Sequence, residues 1–126
     1  MKDANETLRD IEERTFKFAV RIIKLCQFLE GRSWVNTTLG RQLLRSGTSI
    51  GSNVEEAPAA QSRADFISKN NISLKEARET RYQLRLLATT GIISRSRLQP
   101  LLDECLELKR ILGAIVVSTK KNSKTS

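Results

Sequence analysis

No histidine occurs anywhere in the 126-residue chain. That absence closes most catalytic routes: there is no Ser-His or Cys-His nucleophile pair, no His-ligated zinc, no histidine ligand for haem and no Glu-x-x-His di-iron site. Carboxylates and lysines remain, but no spacing among them suggests acid–base chemistry. The reading is of a protein that is not an enzyme and carries no metal or cofactor. Aromatics make up 5% and prolines number two, too few of either for a β-sandwich with regular turns. Cys26 and Cys105 stand far apart, each inside an apolar stripe. That is the pattern of buried reduced thiols rather than of a disulfide or a metal pair. No apolar run reaches the roughly 20 residues of a membrane span, and the charged start MKDANETLRDIEER has no hydrophobic signal region. A cytoplasmic protein with no membrane partner is expected.

What the chain does have is Leu, Ile, Arg, Glu and Lys in helical rhythm. Leu8, Ile11, Thr15, Phe18, Ile22, Leu25 and Leu29 recur at three- and four-residue steps, which predicts a helix over residues 6–30. Phe16, Ala19, Ile23 and Cys26 widen that stripe to nearly half the cylinder. A bundle core needs less, so the surplus edge predicts self-association. GRSWVNTT, residues 31–38, reads as a connection. A second helix follows over 38–57 and is closed by Pro58, which has no N–H for the next helical bond. PAAQ reads as a turn. A third helix starts at the Ser62–Asp65 capping box and runs to Thr90, where Gly91 suits a left-handed cap. A fourth begins near Ser96 with Leu98, Leu101, Cys105, Leu108, Leu112 and Ile115 in register. The expected fold is all-α, an antiparallel up-down-up-down four-helix bundle over residues 1–119. Residues 120–126, with Lys120, Lys121 and Lys124, read as a basic disordered tail.

SGTSIGSNVEEAPAA, residues 46–60, looks like a loop by composition. Yet Leu39, Leu43, Ile50, Val54 and Ala57 continue the apolar register through it. Three helix-interior glycines would cost roughly 3 kcal/mol. At about 100° per residue, Gly40, Gly47 and Gly51 gather on one edge of the stripe, which predicts a close helix–helix approach. Ser73, Ala77 and Thr80 on the third helix are the expected partners. A phosphate loop is a poor alternative, since the Lys-Ser/Thr ending and the preceding strand are both missing.

Net charge is +8, which points to nucleic acid as a partner. The excess is uneven: residues 1–32 carry +1, residues 33–61 balance, residues 62–95 carry +4 and residues 96–126 carry +3. Lys75, Arg78, Arg81 and Arg85 project to one side of the third helix with Tyr82 among them, while Glu76 and Glu79 project elsewhere. Arg41 and Arg45 face outward on the second helix. These six cations are the candidate nucleic-acid-binding residues. The alternative is that the arginines are half-buried partners of Glu55, Glu56 or a neighbouring subunit.

GRQLLRSGTSIGSNVEEAPAAQSRADFISKNNISLKEARETRYQLRLL, with FAVRIIKLCQFL before it, resembles the bacterial four-helix-bundle proteins encoded in intervening sequences of large-subunit ribosomal RNA genes. The resemblance covers about Arg14 to Val117. Gln83 stands where a Trp often follows the Tyr, and Pro58 where Gln or Gly is common. The resemblance implies a homo-oligomer, typically a pentameric barrel, with no enzymatic activity. The family is also similar to accessory variability determinant proteins of diversity-generating retroelements, basic pentamers that bind nucleic acid and a reverse transcriptase. The expected function is a homo-oligomeric helical protein that binds RNA or DNA through a basic surface, as an accessory to a reverse transcriptase or another nucleic-acid enzyme. The alternative is a structural or protein-interaction scaffold with no nucleic-acid role.

Overall fold

The computed structural model describes residues 3–125, with side chains through residue 122; residues 1, 2 and 126 of the expected bundle and tail lie outside the described residues. Four helices follow one another: α1 (Ala4–Leu29), α2 (Trp34–Glu56), α3 (Arg63–Thr89) and α4 (Arg95–Thr125). Each begins at a side chain that accepts a hydrogen bond from the otherwise unpaired N–H groups of the first turn. Asp3 accepts from Glu6 N, Ser33 from Asn36 N, Ser62 from Asp65 N and Ser94 from Arg97 N. α1 stops at Glu30, whose own N–H still bonds to Cys26 O. Gly31 at φ +78° and Gly91 at φ +75° then turn the chain in the left-handed region, where a Cβ would be strained.

Two boundaries differ from the sequence reading. Residues 34–38 are the first turn of α2 rather than a connection, because Ser33 caps one turn earlier than expected. α4 continues through Lys120, Lys121 and Lys124 to Thr125, so residues 120–125 are helical rather than a disordered tail. Past Gly113 there is no glycine or proline to stop a helix already nucleated, and the Thr119 hydroxyl bonds back to Ile115 O. The PAAQ turn takes the form of one 3-10 turn over Ala57–Ala59.

Consecutive helices pack along their length, while α1 and α4 share a much shorter seam. That seam is tied by Arg14, whose Nε and Nη2 donate to the two carboxylate oxygens of Glu104 at 3.0 and 2.6 Å. Ile11, Phe18, Ile22 and Leu29 of α1 meet Leu43, Ile50 and Val54 of α2, Ala77, Leu84 and Leu87 of α3, and Leu98, Cys105, Leu108 and Leu112 of α4 in one core. Burying each large side chain contributes about 1.5–3 kcal/mol. Both thiols are inside and donate to backbone across helices, Cys26 to Gly40 O at 3.1 Å and Cys105 to Ala77 O at 3.2 Å. Burial pushes their pKa up to about 11 and about 12, so both are protonated and poor nucleophiles at neutral pH. No helix among the described residues is long and apolar enough to cross a membrane.

The glycine edge of α2 does face a close neighbour, but that neighbour is α1 rather than α3. A Cβ on Gly40 would stand 3.4 Å from Leu29 Cβ, one on Gly47 2.8 Å from Ile22 Cγ2, and one on Gly51 3.2 Å from Thr15 Oγ1. The pairs run antiparallel, and each glycine is a notch filled by a larger side chain. Small residues do line α3 at its seam with α2, where hydroxyls rather than glycines make the approach. Ser73 donates to Ile50 O at 2.8 Å, and Thr80 and Ser46 hydroxyls lie 2.9 Å apart. α2 is thus approached closely from both sides.

Candidate nucleic-acid interface

On α3 the helical period separates the charges. Glu76 and Glu79 lie on the flank toward α2. There Arg45 reaches both, with Nη1 3.3 Å from Glu76 Oε2 and Nη2 2.8 Å from Glu79 Oε2. Glu76 is a buried residue, so Arg45 supplies a countercharge to a carboxylate largely removed from water. Ser46, Thr80 and Gln83 continue this polar seam, with Ser46 donating to Gln83 Oε1 at 2.7 Å. Arg45 is therefore committed to internal pairing and is not a free surface cation. Arg41 is exposed and stands 3.6 Å from Glu30, a loose pair of little energetic weight.

The outer flank of α3 holds the cations. Lys75, Arg78 and Arg85 are exposed, as is Tyr82 at 59%. Among the described residues no carboxylate pairs with Arg78 or Arg85. Lys75 lies near enough to Glu79 to favour its ionised form. Glu56, an expected arginine partner, pairs instead with Lys69 at 3.2 Å. Arg81 departs from the group: it is half-buried at the α4 seam, where its charge acts on the Cys105 thiol, and its Nε is buried with no hydrogen-bond partner. Three of the four expected α3 cations thus share an open face, spread over about 15 Å of helix, with one aromatic ring among them. A nucleic-acid backbone and a splayed base match that arrangement. Sequence reasoning did not reach a second cationic cluster at the end of the bundle, where Arg32 and Arg97 stand over the Phe28 ring.

The hydrogen bond from Arg45 is the main cause holding the Glu79 carboxyl below the usual carboxylate range. A depressed folded-state pKa contributes stability that is present above the unfolded value and lost as pH falls through the folded one. Arg45→Met is accordingly expected to lower the melting temperature at pH 7. The gap from the wild type should shrink toward about pH 3, where glutamates protonate. Thermal melts across that range check it, and a gap independent of pH would contradict the pairing.

The comparisons with known proteins agree with this architecture. No curated protein matches the chain. A crystal structure of a protein of unknown function from the S23 ribosomal protein family of Bacteroides thetaiotaomicron is similar to it, with 44% identity, a TM-score of 0.81, and 87% of this chain and 97% of that chain covered. The family model for 23S rRNA-intervening sequence proteins matches residues 9–114, from the first turns of α1 to the middle of α4. The chain belongs to the 23S rRNA-intervening sequence protein family.

Proposed function

We propose that the protein is a non-enzymatic, self-associating helical bundle that binds RNA or DNA through the outer face of α3. One observation carries the reading: α3 turns its acids inward to Arg45 and leaves Arg78, Arg85 and Lys75 outward around Tyr82. Unneutralised arginines on a basic protein are what a phosphate backbone attracts, with release of its counterions. Self-association is supported by apolar surface that one chain leaves in water. Phe16, Val20, Ile23 and Leu44 are 61%, 37%, 39% and 38% exposed, along the flank where α1 meets the glycine edge of α2. A second copy is the natural cover, and the pentameric barrel implied by the resemblance is the assembly proposed. Such an assembly would multiply the α3 faces and raise avidity for a long nucleic acid. It would suit an accessory to a reverse transcriptase or another nucleic-acid enzyme. A scaffold with no nucleic-acid role is the second reading, favoured by the internal use of Arg45 and Arg14.

Light scattering of the purified protein with and without RNA, at low and high salt, tests both parts. The expected result is an oligomer that persists in salt and an RNA complex that does not. The logarithm of the binding constant should fall linearly with that of salt, by about 0.7 per phosphate engaged on a single strand. Absence of RNA and DNA binding at low salt would leave only the scaffold.

A further inference from the structure

Antiparallel packing brings the α1–α2 and α3–α4 connections to one end of the bundle. The Phe28 ring there carries two arginines, Arg32 from the α1–α2 connection and Arg97 from the first turn of α4. The guanidinium carbon of Arg32 lies 3.7 Å from the ring centroid, and that of Arg97 lies 5.0 Å from it. One arginine on a ring is an ordinary cation–π contact. Two guanidinium groups near one ring put two positive charges close together at this end of the bundle, where an anion would be attracted. Among the described residues no carboxylate pairs with Arg32, Arg95 or Arg97. Arg32 is fixed by its Nε, which donates to Phe28 O at 2.6 Å, and its two terminal nitrogens are left to face a ligand.

Arg95 and Arg97 also stand in the first turn of α4, which contains no acidic residue, and the first turn of α2 has none either. A helix start carries partial positive charge, and proteins normally set acids there. Arginines in that place raise the local potential further. At the same end, at the first position of α2, Trp34 is 80% exposed. Tryptophan is buried in most proteins, and a side chain of that size left in water at one end of a bundle offers a face to stack on. Trp34 is two residues from Arg32, so their Cα atoms are at most about 7 Å apart, the span of one nucleotide.

We propose that this end of the bundle is a second binding site, which takes an unpaired nucleotide of single-stranded nucleic acid with its phosphate between Arg32 and Arg97 and its base stacked on Trp34. The proposal rests on the nucleic-acid reading above but uses different residues. An anionic protein segment could satisfy the arginines, yet a phosphate beside a planar base accounts for cations and exposed indole together. A duplex hides its base faces except at its ends, so the site selects single strands over paired ones.

Trp34 is the only tryptophan in the chain, so its fluorescence reports this site alone. The probe is a short oligouridylate, which does not pair with itself, titrated at low salt. Quenching of the Trp34 emission is expected. Arg32→Gln with Arg97→Gln should weaken the binding read by that quenching about tenfold, with the bundle still folded by circular dichroism. Trp34→Ala should weaken binding of the labelled oligomer read by anisotropy. Binding seen by anisotropy without quenching, or unaltered quenching in the Arg32/Arg97 variant, would overturn this site and leave the α3 reading standing. No binding of any nucleic acid would overturn both. Emission already shifted to the blue in the free protein, moving to the red on dilution, would show a second copy on Trp34 and likewise overturn the proposal.

Discussion

Gly47→Leu is expected to unfold the protein or to lower its melting temperature by roughly 10 °C or more. The added Cβ would stand 2.8 Å from Ile22 Cγ2, 3.0 Å from Cγ1 and 3.3 Å from Cβ. Those atoms are the root of the side chain, not a movable tip. Ile22 is completely buried, and a β-branched residue in a helix has essentially one rotamer. The clash can be relieved only by moving α1 away from α2. Leu29 against Gly40 and Thr15 against Gly51 hold that seam on either side of it. Overpacking of this kind costs about 1–3 kcal/mol for a few added methylenes, and a full leucine here should cost about 3 kcal/mol or more against a margin of about 5–15 kcal/mol. Gly113→Ala is the control. Its Cβ meets nothing within 4 Å in the interior of α4, so the better helix former should add up to about 1 kcal/mol. Melting curves followed by circular dichroism compare the two. If Gly47→Leu melts like the wild type, Ile22 is not the neighbour that the glycine admits.

That glycine line also marks how far sequence alone reaches. Its helical setting and its gathering on one edge follow from period and register. Its partner does not follow, because small residues on α3 and large ones on α1 are equally plausible neighbours until the helices are placed in space. The hydroxyls of Ser73 and Thr80 satisfy α3 without any glycine, and the notches receive Thr15, Ile22 and Leu29 instead. The start of α2 escaped notice because Ser33 precedes a Trp-Val pair that no apolar stripe claims, and only its bond to Asn36 N identifies the cap. The charged face was partly legible. The outward side of Lys75, Arg78, Tyr82 and Arg85 follows from about 100° per residue. Which cations are neutralised does not, since Arg45 finds its acids 31 and 34 residues away. The Phe28 cluster joins residues 69 apart in the chain through tertiary packing, and no local pattern announces it.

Arg78→Ala combined with Arg85→Ala is expected to weaken RNA binding at low salt about ten- to a hundredfold while leaving the melting temperature unchanged. Each side chain is exposed and unpaired, so its removal breaks no internal interaction, and alanine is at least as good a helix former. Every phosphate that an arginine no longer neutralises also takes about 0.7 off the salt dependence on a single strand. The double variant should therefore bind with a slope shallower by about 1.4. The slope decides between two explanations that a single affinity would confuse. A variant that bound less because its bundle had loosened would lose affinity together with its melting temperature. Arg45→Met supplies the opposite pattern, a lower melting temperature with a smaller change in slope, because its charge is already held by Glu76 and Glu79. If instead the Arg78/Arg85 variant dissociates into smaller species while its slope stays put, these arginines are ion-pair partners across a subunit interface. The scaffold reading would then replace the nucleic-acid one on α3. Titration of labelled RNA at several salt concentrations, with scattering on the same samples, separates the three outcomes.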